Sequence, residues 1–511
     1  MPATFTSFYF LCFYTVILML YYLIPGKLRW GFLLAVSAAY YLLTGNGILI
    51  LYPAAACLTA WTGMRIMAGT EDAKKRRIAL GGVVAVLLGI LFVLKYMNFT
   101  VRTIQGLCRL AGLEGDRFTG FQLLAPLGVS FYTLTVLGYV IDVYHQIASP
   151  PANVFRLFLY GMYFPAILSG PVLRYREEGE VFFEPHPLDY RQVTGGLQRM
   201  VWGFFKILVI SERMNLIVHT VYGSYEQYPG LYIWFATFCF SFQLYTNFSG
   251  GMDIALGMSQ TFGIPLPENF RTPFFSRSIQ EYWRRWHITL GVWMKEYVFY
   301  PLLRSRFFTR TGKWLGKKAG KKKGRQLNTL AAMFVLWAVV GFWHGGDWKY
   351  VIGSGLLHWC YIAAGELLGP GIRRRMEGAG IPMDAPWMNR LRVLRTFFLV
   401  SIGFVFFRAD SVGAALQMLR LAVTVWNPEV LWNGGLFSLG LDPIEMVIAV
   451  VSLLLLLAVS LGQEKGSVRE WIGRQRLPVR FALWYALLFY IILLGYYGPG
   501  YSAVEFIYQG F

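Results

Sequence analysis

Residues 329–369 read TLAAMFVLWAVVGFWHGGDWKYVIGSGLLHWCYIAAGELLG, two apolar runs (329–344 and 349–369) joined by a glycine-rich turn, with His344 at the end of the first run. Runs of this length approach or reach the roughly 17 to 25 residues that a helix needs to cross a hydrocarbon core. The stretch before them, 304–326, carries ten basic residues and no acid, and 373–395, after them, is also net basic. Two apolar runs that leave and return to a basic side form a transmembrane hairpin, since Lys and Arg stay on the cytoplasmic face.

Working outward, similar runs recur at 7–24, 28–44, 47–65, 78–95, 121–143, 154–172, 196–221, 229–248, 396–426, 444–462 and 481–498. The whole is 56% hydrophobic, 17% aromatic and 14% charged over 511 residues, a composition that excludes a water-soluble globule. The expected fold is therefore an all-α polytopic membrane protein of about 11–13 transmembrane or re-entrant helices. It is read as one integral-membrane domain over 1–511, with N-terminal helices in 1–120, a core in 121–369 and C-terminal helices in 370–511. The first run lacks a basic leader and a small-residue cleavage site, so it reads as a retained helix.

The net charge of +20 does not indicate nucleic acid, because Lys and Arg concentrate in short loops between apolar runs. Three of these loops, 304–326, 373–395 and 463–476, are expected to be cytoplasmic. Between Arg420 and Lys465, and after Arg480, there is no Lys or Arg, whereas Glu429, Asp442, Glu445 and Glu505 occur there. The 427–444 loop and the C-terminus are expected on the outer side. The basic run also suits anionic headgroups or an acidic partner. Five cysteines without CxxC spacing indicate neither a disulfide framework nor a metal site.

His344 is one of six histidines, and it is bracketed by Gly341, Trp343, Gly345 and Gly346. Glycines there permit close approach of backbone or substrate, and an imidazole can take a proton from a hydroxyl and return it. The alternative is a helix-end histidine satisfied by a carbonyl. Upstream, Trp283, Trp286, His287, Leu290, Trp293, Met294 and Tyr297 recur at helical spacing. That pattern predicts an amphipathic helix of interfacial type, lying in the headgroup plane or dipping back into the protein, with His287 either an interface residue or a second polar member of a buried site. In 241–270, Tyr245, Asn247, Ser249, two glycines and Asp253 interrupt apolar sequence. Such residues line a cavity, or form a hydrogen-bonded helix break with Asp253 paired to an arginine. Asp142, Arg174 and Arg176 are expected at helix ends or in loops as solvated or pairing charges. There is no GxxxxGK[ST], GxSxG or HExxH, which disfavours ATP-driven transport and common serine hydrolysis.

Read in order, PLGVSFYTLTVLGYVIDVY, SGPVLRYREE, YTNFSGGMDIALG, NFRTPFFSRSIQEYWRRWHITLGVWMKEYVFYPL, VGFWHGGDWKYVIGSGLLH and GFVFFRADSVGAAL resemble the membrane-bound O-acyltransferase (MBOAT) superfamily, and within it the bacterial alginate/polysaccharide O-acetylase branch. The resemblance implies a helical ring around a tunnel, with His344 catalytic and His287 nearby in support. Asn247, Ser249, Asp253, Trp343, Gly345 and Gly346 are the tunnel or substrate-lining candidates, and no metal is implied. The implied activity moves an acyl group, in the first instance acetyl, from a cytoplasmic thioester toward hydroxyls of an extracytoplasmic polysaccharide. Acetyl-CoA or an acyl carrier thioester would be the donor, with no cofactor bound permanently. A surface acetyltransferase partner and a bacterial plasma-membrane location follow from the same likeness. The sequence departs from the branch at Asn247, Gly251 and Met252, where Asp, Tyr and Ser are typical, which puts the acceptor in question more than the chemistry. The rivals are D-alanyl transfer to teichoic acid from an acylated carrier protein, a non-catalytic channel or exporter for acyl groups or glycans, and a structural subunit of an envelope-modifying complex.

Overall fold

A computed structural model describes residues 5–113, 124 and 126–497. Among these the regular structure is helical, with one isolated bridge between Phe270 and Trp286. The all-α polytopic reading holds. Among the described residues six helices are long and apolar enough to cross a membrane: Gly47–Ala68, Ala73–Leu110, Lys321–His344, Tyr350–Gly378, Pro443–Gln463 and Leu477–Leu494. Phe8–Leu23, Val129–Tyr144 and Val412–Thr424 are apolar but shorter.

Several expected runs are divided, for local reasons. The 154–172 run becomes Val154–Met162 and Phe164–Ile167, because Pro165 lacks an amide donor and is tolerated only in a helix's first turn. The 396–426 run becomes Pro386–Arg408 and Val412–Thr424, the second started by Ser411, whose hydroxyl accepts from the Ala414 amide at 3.1 Å. The basic run is not a loop: Arg306–Ala319 and the first turns of Lys321–His344 carry it, separated by Gly320 at φ +80°. Residues 114–123, Glu505 and the C-terminal tail lie outside the described residues.

Two compact units are built from this chain. One comprises Met1–Leu208, Asn247–Pro267 and Tyr490–Phe511. In it Val129–Tyr144 is buried at nearly every position, packed by Leu51–Ala68, Ala73–Leu91 and Val154–Met162. Asp142, at that helix's end, is buried and lies 4.0 Å from Arg176, a pairing charge as expected. In the same unit, Tyr190–Phe204 meets residues 247–261 backbone to backbone. A Cβ on Gly196 would lie 2.5 Å from the Gly257 carbonyl, and one on Gly203 2.6 Å from that of Gly250. Two glycines seven apart on each helix thus form a seam where chains approach without side chains between them, the usual way helices adhere in lipid.

The other unit comprises Val209–Thr246 and Glu268–Phe489. Lys321–His344 packs along Tyr350–Leu356, and a Cβ on Gly341 would lie 2.7 Å from the Tyr350 carbonyl and 2.8 Å from Val351 Cα. Tyr350–Leu356 is wound as a wide π-type turn, a form that recurs at functional sites. The buried Arg213 guanidinium meets Glu445 at 2.6 Å, tying Glu212–Gly223 to Pro443–Gln463.

Candidate active site

Residues 269–271 run antiparallel to 285–288 and break the helix that the aromatic spacing predicts. The Arg271 amide donates to the Arg285 carbonyl at 2.9 Å, and the Ile288 amide to the Asn269 carbonyl at 3.0 Å. The result is two short helices, Ile279–Arg285 and Ile288–Met294, with His287 between them at φ +48° and ψ 51°. A left-handed non-glycine residue is uncommon and persists only where its surroundings fix it. Asn269, fully buried, does the fixing: its Oδ1 accepts from the Thr289 amide at 3.0 Å and the Thr289 hydroxyl at 2.9 Å, and lies 3.3 Å from His287 Nδ1. An amide oxygen only accepts, so Nδ1 carries the proton and Nε2 presents the lone pair.

Of the two placements expected for this segment, burial selects the protein interior over the headgroup plane. Trp286, His287, Leu290, Trp293 and Met294 are all buried, because the turn folds the apolar face inward against the unit instead of laying it on headgroups.

His344 is buried at the C-terminus of Lys321–His344. Trp343 stands beside both imidazoles, its ring centroid 6.0 Å from that of His287 and 5.2 Å from that of His344. Phe407 meets His344 edge-on at 5.9 Å. Burial, and then the neighbouring His344, push the His287 imidazole well below its ordinary value of 6.5, so it is neutral at physiological pH. Gly341 is the bracket glycine that the structure explains, since it lets the backbone of Tyr350–Val351 approach. After the helix, Gly345 is buried and extended (φ −177°) and Gly346 is partly buried. Asp347 Oδ1 accepts from the Lys349 amide at 3.1 Å, and Lys349 Nζ donates to the Ala409 carbonyl at 2.7 Å, closing the turn onto Pro386–Arg408.

Asn247, Ser249 and Asp253 belong to the other unit. They lie in a continuous helix, Leu231–Thr261, so the expected helix break is absent. The glycines at 250 and 257 serve the seam with Tyr190–Phe204, and Arg199 and Lys206, each three residues past a seam glycine, are brought to Asp253. Arg199 Nε lies 2.9 Å from Asp253 Oδ1, Lys206 Nζ 2.5 Å from Oδ2, and Lys206 also donates to the Ser249 hydroxyl at 2.9 Å. The expected arginine partner for Asp253 is present, together with a lysine that the sequence did not single out. Asn247 is buried in the same helix.

Sequence reasoning missed Asn269 as a participant and His358 as a buried histidine. Asn269 was legible only as a polar residue opening NFRTPFF. His358 is buried, accepts from Trp283 Nε1 at 3.3 Å and stacks on Trp337 at 5.8 Å, with Gly403 leaving room for its ring. Among the described residues no group of three or more His, Cys, Asp or Glu could hold a metal.

A family model described as MBOAT, membrane-bound O-acyltransferase family, matches residues 146–315, which include His287. The chain is 30% identical over 439 residues, 85% of its own length and 81% of the relative's, to a probable alginate O-acetylase (AlgI) of Azotobacter vinelandii. It is 28% identical over 331 residues to a peptidoglycan O-acetyltransferase of Helicobacter pylori, covering 60% of this chain and 58% of that one. With a teichoic acid D-alanyltransferase of Bacillus subtilis it shares 26% over 292 residues, 56% and 69% of the two chains. Buried histidines gathered around Trp343, in a polytopic helical protein with relatives of this kind over most of its length, lead to one assignment: the chain belongs to the membrane-bound O-acyltransferase family and is an O-acyltransferase.

Proposed function

We propose that this protein transfers acetyl groups from a cytoplasmic thioester across a bacterial plasma membrane toward hydroxyls of an extracytoplasmic polysaccharide, with His344 as general base. The observation that carries the reading is the site's composition, two buried histidines about one tryptophan, with His287 held neutral. A base must be unprotonated to act, and the C-terminal end of a helix favours the imidazolium that forms when His344 takes the hydroxyl proton. The attacking oxygen then forms a bond to the thioester carbonyl carbon. As the C–S bond breaks, the imidazolium returns its proton to the departing thiolate. His287, fixed by Asn269, would support this site, and the backbone amides of Gly345 and Gly346 are candidates for the developing oxyanion, a role worth roughly 3 to 4 kcal/mol per donor.

Acetyl and polysaccharide are favoured over D-alanyl and teichoic acid by the share of chain matched: 85% against the alginate O-acetylase, 56% against the D-alanyltransferase. Acetyl-CoA or an acyl carrier thioester is the proposed donor, and a surface acetyltransferase protein the proposed partner, on the topology expected from the positive-inside rule, which puts the three basic segments on the donor side. The test compares cells carrying the native protein with cells carrying His344→Ala at matched membrane abundance, releasing envelope esters with mild base and quantifying acetate and D-alanine. Loss of acetate supports the reading. Loss of D-alanine alone transfers it to teichoic acid, and no change in either removes His344 from the chemistry and favours the channel or structural-subunit readings.

A further inference from the structure

An apolar cleft of about 250 Å³, with no histidine in its lining, lies in the second unit between Pro443–Gln463 and the Thr272–Phe275 turn. Phe242, Tyr245, Phe274 and Phe275 form one wall; Val450, Leu453, Leu454, Leu456, Leu457 and Ser460 form the other. Val450, Leu454 and Leu457 are exposed, so the cleft opens on the outward face of a helix long and apolar enough to span a membrane. In a bilayer that face meets lipid.

The cleft has a direction. From Val450 to Ser460 it follows ten residues of helix, about 15 Å at 1.5 Å per residue, which is half of a hydrocarbon core of about 30 Å and hence the depth of one leaflet. Its Ser460 end is its polar end. There Arg285 Nη1 meets Glu464 Oε1 at 2.5 Å and Arg285 Nη2 meets Glu281 Oε1 at 2.8 Å, and the Thr272 hydroxyl donates to Glu464. Thr272, which lines the cleft, is held at φ +40°, a conformation that a β-branched residue adopts only under constraint. The side chain next to it, Arg271, is exposed. Burial alone would raise the Glu464 carboxyl, but its hydrogen bonds with Thr272 and Arg285, and the charges of Arg285 and Arg271, outweigh that and hold it below its ordinary value. The mouth thus carries a fixed ion-pair network with an exposed cation at its edge.

We propose that this cleft holds one acyl chain of an anionic phospholipid from the leaflet on the basic side of the protein, with the phosphate beside Arg271. An apolar cleft whose lining follows about 15 Å of a spanning helix suits a hydrocarbon chain, and a cation at the polar end complements a phosphate. The occupant also reaches the site indirectly, because the Tyr245 and Phe274 rings that wall it lie 6.1 and 6.4 Å from the Trp286 ring, one residue before His287.

The test uses the full-length protein in nanodiscs containing phosphatidylglycerol with a diazirine in one acyl chain. Labelling at Leu453, Leu457 and Phe275 is expected to saturate as probe is added, whereas labelling at the exposed Ile444 and Val447 rises in proportion. Filling the slot with Leu457→Trp, or with Leu453→Trp where the first variant does not fold, is expected to abolish cleft labelling and leave Ile444 and Val447 unchanged. Arg271→Glu is expected to weaken it several-fold for phosphatidylglycerol and not for a phosphatidylethanolamine probe. Cleft labelling that is proportional, or indifferent to the tryptophan, overturns the site. Indifference to Arg271→Glu overturns the headgroup placement, and displacement of the probe by an acyl thioester would assign the slot to the donor instead.

Discussion

In one unit Asp253 is held between Arg199 and Lys206, a carboxylate and two cations within 2.9 Å, on helices pressed together at four glycines. In the other, His287 and His344 are gathered around Trp343, and the groups identified about them are aromatic rings and the Asn269 amide. Both are buried polar clusters that the sequence marks with glycines, yet they differ in what they leave available. The ion triad spends its charge on itself and fastens two helices. The histidine cluster keeps the His287 imidazole uncharged and oriented by Asn269, beside His344, an arrangement suited to taking up a proton during a reaction. Burial of a polar residue therefore does not by itself identify a catalytic one; the test is whether its partners leave it able to change state.

Four predictions sharpen or break this contrast. His344→Gln keeps a polar side chain but removes the base, and is expected to lower acyl transfer by about 10² to 10⁴-fold at unchanged membrane abundance, read with a thioester donor in proteoliposomes. Asp253→Asn removes the carboxylate shared by buried Lys206 and part-buried Arg199 and is expected to cost up to about 3 kcal/mol of stability, seen as reduced abundance and a lower unfolding temperature in detergent, with specific activity of the folded fraction retained. Asn269→Ala removes the acceptor that fixes His287 and Thr289. It is expected to lower kcat roughly tenfold to a hundredfold, from about 1 to 3 kcal/mol of lost buried hydrogen bonding, with KM nearly unchanged and partial rescue by Asn269→Asp.

The smallest effect is on pH. His287 has a folded-state value below its ordinary 6.5, so as pH falls the unfolded chain takes the proton before the folded one does. Its contribution to stability is therefore complete above about 6.5 and declines below it. His287→Gln should flatten unfolding temperature against pH on the acid side, measured by thermal denaturation between pH 5 and 8. An unchanged slope would mean that His287 is not held neutral.

How much of this was legible in the sequence depended on how locally each feature is determined. His344 sits where it was expected, because an apolar run and the glycines after it fix a helix end without outside help. The turn at His287 was not legible. Periodicity over 283–297 is that of one helix, and the break comes from Asn269, eighteen residues away, pairing across Arg271 and Arg285. The glycines near Asp253 misled in the opposite direction. They suggested a break, but their role is to admit Gly196 and Gly203, a contact over some fifty residues that no window on one helix contains. The spans were legible as apolar runs, though Pro165 and Ser411 cut two of them short.

The measurement that bears most directly on the account is acyl transfer per folded molecule for His344→Gln and Asp253→Asn side by side, each normalised to the protein that survives a thermal challenge. His344→Gln is expected to be folded and inactive, while Asp253→Asn is expected to be scarce yet active in the fraction that folds. Full activity in folded His344→Gln, with a folded but inactive Asp253→Asn, would contradict it and move the chemistry to the other unit.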